Sequence, residues 1–215
     1  MTIVKNSLPP KRGRGRPRAF DRTEVLERAA RTFWAHGYEG ASIADLTTAM
    51  GITPQSLYAA FGSKEALFRE ALAWYQQHIG EAAVRILEND PDVVRALTGI
   101  LELSARAFAG QQCPKGCMIS TALLQCAQEN EAVAQQVAQM RSDAITLFRS
   151  RIENEMAAGQ LKSDTDADAL ARFVGAMIQG MSVQAHDGAT AADLEAVVAL
   201  AARTLELCRP SEPAG

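Results

Sequence analysis

Residues 42–64 constrain the fold more than any other part of the chain, because their sequence predicts two short helices joined by a tight turn. Ser42 is an N-cap candidate, and Asp45 stands three residues later, where its carboxylate reaches back to the exposed N–H groups. Gly51 stands where the first helix must stop, in a backbone conformation that glycine adopts at least cost. A Thr-Pro pair at 53–54 then starts the second helix. This pattern is typical of a helix-turn-helix DNA reader, although an ordinary α-helical hairpin has the same local signals.

The second helix of this unit presents a polar surface for contact with DNA. Leu57 and Phe61 form its buried face, so the polar residues point outward. Gln55 is the best candidate for base discrimination, because glutamine pairs bidentately with adenine in the major groove. Lys64 stands at the start of the following helix, whose free N–H groups favour a phosphate. The residues expected in the major groove are Thr53, Pro54, Gln55 and Tyr58, and those expected on phosphates are Ser42, Thr48, Ser56 and Lys64.

Three linked motifs, at residues 38–46, 50–58 and 61–68, resemble the amino-terminal domain of the TetR family of repressors. They read Tyr-Glu-Gly-Ala-Ser-Ile-Ala-Asp-Leu, Met-Gly-Ile-Thr-Pro-Gln-Ser-Leu-Tyr and Phe-Gly-Ser-Lys-Glu-Ala-Leu-Phe. The resemblance extends over residues 19–75. It implies a homodimeric transcriptional repressor that a small effector releases from a palindromic operator of double-stranded DNA.

The same resemblance implies an all-α architecture of about nine helices. A three-helix helix-turn-helix DNA-binding domain is expected at 19–66, and a larger helical effector-binding and dimerisation domain at 67–215. Residues 1–18 are rich in Pro, Gly and Arg and cannot bury a core, so we expect a disordered basic arm. The arm is either a solvated extension or a minor-groove contact, since narrow A·T-rich grooves attract arginine. Its candidate DNA contacts are Arg12, Arg14, Arg16 and Arg18.

The distribution of charge favours a DNA-binding end on a body of another kind. The chain has 215 residues and a net charge of −3. Residues 1–62 nevertheless hold nine Lys and Arg against five Asp and Glu, whereas the remainder holds 13 against 20. A basic end on an acidic body is the asymmetry of a DNA reader. The alternative functional class is a helical interaction module without a DNA target. That class leaves the charge asymmetry unexplained.

The rest of the chain predicts helices throughout. After residue 91 no period-two strand pattern occurs. The helix that Ser63 caps is expected to continue past Trp74, which makes it the mechanical link between the two domains. Further helices are expected at about 92–109, 117–128, 130–157, 165–185 and 191–208.

The last two long helices carry apolar stripes, the first with small residues that permit close backbone approach. The stripes either face the core of the chain itself or pair with a second copy, as a two-fold reader of a palindrome requires. The resemblance implies the second arrangement, a four-helix dimer interface. Its candidate residues are Val174, Ile178, Val197, Val198, Ala201 and Leu205.

The body resembles a TetR branch in which Gly-Cys follows the fifth helix, on the evidence of residues 116–119 and 184–189. This resemblance implies a small-molecule pocket between helices five to eight, whose occupation spreads the DNA-binding domains. Polar residues that would orient a ligand are few, namely Gln125, Gln179, Gln184 and His186, so we expect an apolar or aromatic effector. The pocket candidates are large side chains that would equally build an ordinary helical core: Trp74, Phe108, Met118, Leu123, Met140, Phe148, Phe173, Met177 and Met181.

Cys113 and Cys117 admit two functional interpretations. A zinc site would need two further Cys or His ligands nearby, and the chain has only three His. A redox or electrophile sensor is the better functional hypothesis, because Lys115 and a helix amino terminus at Cys117 would favour the reactive thiolate. The alternative is that both are inert structural thiols.

The sequence contains no recognisable catalytic constellation. It lacks a Gly-rich phosphate loop, a Gly-x-Ser-x-Gly elbow and a His placed beside a nucleophile and an acid. We therefore predict no catalytic residue, metal or cofactor, and a protein that is not an enzyme. No apolar run reaches the ~18 residues of a membrane span, and no signal-peptide core is present, so we expect a cytoplasmic protein without a membrane partner.

Overall fold

The computed structural model of the protein describes residues 20–124 and 126–210, and within them every regular element is helical. The all-α prediction is therefore confirmed. The predicted basic arm, with Arg12, Arg14, Arg16 and Arg18, lies outside the described residues. The described helices are α1 (Arg22–Gly40), α2 (Ile43–Met50), α3 (Pro54–Phe61), α4 (Lys64–Tyr75), α5 (Glu81–Asn89), α6 (Val93–Ala109), α7 (Glu131–Ala157), α8 (Ala167–His186) and α9 (Ala191–Glu206).

The turns of the amino-terminal domain form as their sequence predicts. The Ser42 hydroxyl accepts the N–H of Asp45 at 3.1 Å, and the Asp45 carboxylate accepts the N–H of Ser42 at 3.0 Å, which completes a capping box at α2. Gly51 ends that helix with φ of 69°. Thr53 caps α3 by accepting the N–H of Ser56. These local bonds fix the angle between α2 and α3.

The predicted continuation of the fourth helix is confirmed, with one irregularity. A π-helical turn over Gln76–Gly80 joins α4 to α5, and the backbone keeps helical angles on either side of it. His78 donates from Nδ1 to the Trp74 carbonyl at 2.8 Å, and its ring stacks on the Trp74 indole. One helical rod therefore runs from the amino-terminal helices into the body.

The prediction of a helix at 117–128 is wrong. Residues 110–124, here called the bridging segment, form turns between α6 and α7 instead. Leu123 has φ of 51°, which an α-helix does not admit. The physical reason is tertiary, because Arg141 of α7 donates from Nη1 to the carbonyls of Ile119 and Ala122, each at 3.0 Å. Those acceptors are thus satisfied without a helix.

Two hydrophobic cores organise the molecule. The first gathers α1 to α4 around Phe33 and Phe68, whose rings meet edge to face at 4.9 Å. It also includes Met118 and Val137, so the bridging segment and the start of α7 pack with the DNA-binding helices. The second core lies among α5 to α9.

Candidate DNA interface and effector cavity

Helix α3 presents the polar face that its sequence predicts. Leu57 and Phe61 are buried, while Pro54 and Gln55 are exposed and Tyr58 is 48 % exposed. Thr53 is exposed as well, and its hydroxyl lies 3.0 Å from that of Ser56, in addition to capping the helix. The side chains available to bases are therefore those of Gln55 and Tyr58, with Thr53 holding the start of the helix.

The four phosphate candidates differ in how freely they reach solvent. Ser42 and Thr48 are exposed, and Ser56 is half-buried. Lys64 is half-buried too, with Nζ 4.6 Å from the centroid of the Tyr38 ring. Burial lowers the pKa of Lys64, against the opposing effect of nearby Glu39.

A cavity of about 300 Å³ lies in the body, between the α4–α5 rod and helices α6, α7 and α8. Its wall is mostly apolar, and Val84 and Leu147 stand exposed in its lining. The π-helical turn contributes Gln76, Ile79 and Gly80 to the wall. A ligand in this space would therefore touch the rod that carries the DNA-binding domain.

Three of the nine pocket candidates line this cavity, namely Phe108, Met140 and Phe148. The other six lie in or against the two hydrophobic cores, outside the cavity wall: Trp74, Met118, Leu123, Phe173, Met177 and Met181. Of the polar candidates, Gln179 lines the cavity, whereas Gln184 and His186 are exposed elsewhere on α8. Gln125 lies outside the described residues.

Sequence reasoning missed Arg141, which lines the cavity together with Cys117 and Ser120. Arg141 is half-buried, and burial lowers its pKa, an effect that the neighbouring Cys117 opposes. The sequence does indicate this position, because Arg141 lies four residues after Val137 and seven before Phe148 and so shares their face of α7. It is a charge at an inward-facing position of α7.

The structure places Cys113 beside α1 and Cys117 beside the end of α4. The guanidinium of Arg31 lies 3.8 Å from Cys113 Sγ, and the hydroxyl of Tyr75 donates to Cys117 Sγ at 3.4 Å. The features expected to activate Cys117 are not at that thiol. No helix begins there, and Lys115 donates instead to the Ala109 carbonyl at the end of α6.

Gly116 anchors the bridging segment between α1 and α8. Its carbonyl accepts the indole N–H of Trp34 at 3.0 Å, and the next N–H, that of Cys117, binds the Ser182 hydroxyl at 2.8 Å. Gly116 has φ of 71°, and a Cβ added there would lie 2.7 Å from Ser182 Oγ and 2.8 Å from the Ser182 carbonyl. Glycine at position 116 is thus required by backbone conformation and by close packing.

A second tie joins the DNA-binding domain to the start of α7. The Glu39 carboxylate accepts the Ala127 N–H at 2.8 Å and the Asn130 side-chain amide at 2.9 Å. These two hydrogen bonds lower the pKa of Glu39. Together with the Trp34 bond, they hold the amino-terminal domain to the body at points away from α4.

The apolar residues of α8 and α9 divide between the core of the chain and its surface. Of the six interface candidates, Ile178 and Val197 are half-buried. The other four are buried in the chain's own second core: Val174, Val198, Ala201 and Leu205. Val183 and Leu200 of the same helices are 45 % and 64 % exposed. Ile178 and Val197 also pack against the second core, and Ile178 lines the cavity, so Val183 and Leu200 are the large apolar residues of α8 and α9 that stay exposed.

Comparison with known protein families gives two matches. Residues 25–71 match the bacterial regulatory proteins of the tetR family, and residues 93–201 match the tetracyclin repressor-like C-terminal domain. The transcriptional repressor ComR of Escherichia coli is 31% identical over 198 residues, 92% of this chain and 93% of that protein. The repressor BdcR of the same organism is 27% identical over 209 residues, 96% of this chain and 98% of its own.

A solved structure with a similar fold is that of a cysteine-substituted variant of CifR, a TetR family transcriptional regulator complexed with 26-base-pair operator DNA. It is 44% identical and superposes with a TM-score of 0.84 over 88% of this chain and 98% of that one. In the described part of this chain, no helix is long and apolar enough to span a bilayer. Nor does that part hold a group of three His, Cys, Asp or Glu residues suited to a metal ion.

Proposed function

Since the chain belongs to the TetR family of DNA-binding transcriptional repressors, which act as homodimers, we propose that it reads a palindromic operator with α3 and leaves it when a small molecule fills the cavity. It acts in the cytoplasm, as a regulator and not as an enzyme. The observation that carries the proposal is the capped, exposed polar face of α3, which directly precedes the α4–α5 rod whose far part forms the cavity wall.

The reading step assigns separate roles to the residues at the DNA surface. Gln55 and Tyr58 enter the major groove, and Gln55 discriminates adenine through a bidentate pair. Ser42, Thr48, Ser56 and Lys64 set the register on phosphates. Support comes from the exposure of α3 and from the similar protein CifR, a variant of which was solved in complex with operator DNA.

Release requires that the effector bind the DNA-incompetent arrangement more tightly than the competent one. The position of the cavity supports such a difference in affinity, because its wall includes Tyr75 and residues of the π-helical turn at 76–80. A ligand that alters this turn changes the direction of α4 and thus the spacing of the two reading helices in the dimer. π-Helical turns occur frequently at functional sites.

The reading roles are tested by measuring binding to an operator selected from random genomic fragments. Gln55→Ala should relax the preference at one operator position and cost about 1–3 kcal/mol there, whereas Lys64→Ala should weaken all duplexes and reduce the salt slope by about one. Gln135→Ala and Lys162→Ala, both exposed in the body, are the matched controls. Equal effects of the two variants on every sequence would refute the assigned roles, and the absence of any enriched sequence would revive the interaction-module alternative.

A second candidate function is thiol or electrophile sensing by Cys113 or Cys117. It is favoured by the contact of Arg31 with Cys113 and by the position of Cys117 in the cavity wall. Oxidation of Cys113 would disturb a contact between α1 and the bridging segment. Diamide should then release the wild-type protein from DNA, and Cys113→Ser or Cys117→Ser should abolish that release.

The control for this test is Cys208→Ser. Burial raises the pKa of the Cys208 thiol, so this cysteine is poorly ionised and should not contribute. Diamide-induced release that persists in both Cys113→Ser and Cys117→Ser would leave these two thiols as structural residues.

A further inference from the structure

We propose that the effector carries a carboxylate, which binds the guanidinium of Arg141 while an apolar body fills the cavity. This inference rests on the proposed function of the cavity as the effector site and specifies the ligand's chemistry. It adds a charged group to the apolar or aromatic effector that the sequence predicts.

The first observation concerns the pairing of arginines. Five arginines are half-buried within the described residues, and four of them have a carboxylate within ion-pairing distance: Arg31, Arg149, Arg151 and Arg209. The fifth, Arg141, has no such partner in that part of the chain. Removing part of a charge from water is costly unless an anion compensates it, so a half-buried, unpaired arginine in a mostly apolar cavity wall points to a ligand anion.

The second observation is the geometry of the guanidinium. Arg141 uses Nη1 for the carbonyls of Ile119 and Ala122. A guanidinium has five N–H donors, so the Nε and Nη2 edge keeps three donors for which the described residues supply no hydrogen bond. This edge presents two parallel N–H groups, the arrangement that matches a carboxylate bidentately. The bonds to the bridging segment hold the fork in place before the ligand arrives.

The third observation is the composition of the surrounding wall. Near Arg141 the lining includes Tyr75, Cys117 and Ser120, and most of the remainder is aliphatic or aromatic. Asp143 is the other charged lining residue, but it is exposed and its carboxylate accepts a hydrogen bond from Gln139 at 2.8 Å. A volume of about 300 Å³ is at the lower end for ligand pockets. The occupant is therefore a small amphipathic acid.

The test uses isothermal titration of the full-length dimer with matched acids and alcohols: hexanoate and hexanol, octanoate and octanol, phenylbutyrate and phenylbutanol. Each acid should bind the wild type at least about tenfold more tightly than its alcohol, because one charge-assisted hydrogen bond contributes a binding free energy of that size. Arg141→Gln should abolish this preference and leave alcohol binding in place. Arg149→Gln, a substitution of another half-buried arginine on α7 outside the cavity wall, is the matched control and should keep the preference.

Because Arg141 also holds the bridging segment, Arg141→Lys is measured as well. It keeps a charge at the wall and should retain part of the preference, while any loosening of the segment would affect acid and alcohol alike. Equal affinities of acid and alcohol for the wild type, or a preference that survives in Arg141→Gln, would overturn the inference. If neither member of any pair binds, the cavity is not the effector site, and the proposed release mechanism fails with it.

Discussion

Replacement of Gly116 by alanine should destabilise the protein through two separable effects. Gly116 has φ of 71°, which an alanine adopts only with strain. The new methyl group would also lie 2.7 Å from Ser182 Oγ, 2.8 Å from the Ser182 carbonyl and 2.8 Å from His186 Cδ2. The hydroxyl and the imidazole can rotate, but the carbonyl belongs to the backbone of α8. Part of the clash is therefore relieved only if the bridging segment moves.

The expected loss of stability is the sum of the backbone strain and the overpacking. Left-handed backbone costs a non-glycine residue about 1–2 kcal/mol, and overpacking of a close contact costs about 1–3 kcal/mol. We therefore expect Gly116→Ala to lower the free energy of unfolding by about 2–5 kcal/mol. Native proteins of this size class are stable by about 5–15 kcal/mol, so the variant folds with a much reduced margin.

The assay is urea unfolding at one fixed protomer concentration, because the stability of a dimer depends on concentration. Gly159→Ala is the matched control, since Gly159 has φ of 74° and a Cβ there meets nothing within 4 Å. The control should lose only the strain term, so the difference between the two variants measures the packing of Gly116 on α8. Equal losses in the two variants would refute the described contact with Ser182.

Two further predictions concern the ties between the DNA-binding domain and the body. Trp34→Phe removes the donor to the Gly116 carbonyl and should cost about 1–3 kcal/mol in urea unfolding, because that acceptor stays buried without its partner; an unchanged midpoint would contradict the bond. Hydrogen bonds from Ala127 and Asn130 lower the pKa of Glu39, so the stability they add is present above the unfolded-state pKa and is lost as pH falls through the folded pKa. Glu39→Gln should therefore be less stable than the wild type at neutral pH, with a gap that closes on acidification, whereas a gap independent of pH would exclude this carboxylate as the cause.

The amino-terminal domain could be predicted because its signals are local. Ser42, Gly51 and Thr53 act through hydrogen bonds and backbone angles within a few residues of themselves, and each does what its position predicts. Leu57 likewise lies on the buried face of α3, a helix of 8 residues that turns one face toward the core. Local consistency of this kind specifies structure with little help from the rest of the chain.

The bridging segment could not be predicted because its conformation is decided from a distance. Its composition is compatible with a helix, yet Arg141, Trp34 and Ser182 supply partners to its backbone from three other helices. None of these partners is visible in a local sequence window. The cavity is defined by the same long-range packing, which is why most of the large side chains proposed for it lie in the cores instead.

An apolar stripe identifies the side of a helix that leaves water, but it does not distinguish an intramolecular core from a dimer interface. Val198 and Leu205 of α9 pack within the second core, whereas Leu200 of the same helix is 64 % exposed. Large exposed apolar residues are the better indicators of a contact between copies. Exposure requires coordinates, so the sequence could propose α8 and α9 for an interface but could not say which of their residues would face a second copy.

The cavity is connected to the amino-terminal helices by two sets of contacts, and under the proposed mechanism we expect a ligand beside Arg141 to act on both. One route is the rod of α4, the π-helical turn and α5, which forms part of the wall. The other is the bridging segment, whose Cys117 and Ser120 line the cavity and whose Gly116 holds Trp34 of α1. A coupling free energy depends only on how differently the ligand binds the two states. The two routes meet where the Tyr75 hydroxyl contacts Cys117 Sγ, and both of these residues line the cavity. We therefore expect a ligand group placed there to affect the reading helix more than the same group at the exposed lining residue Leu147.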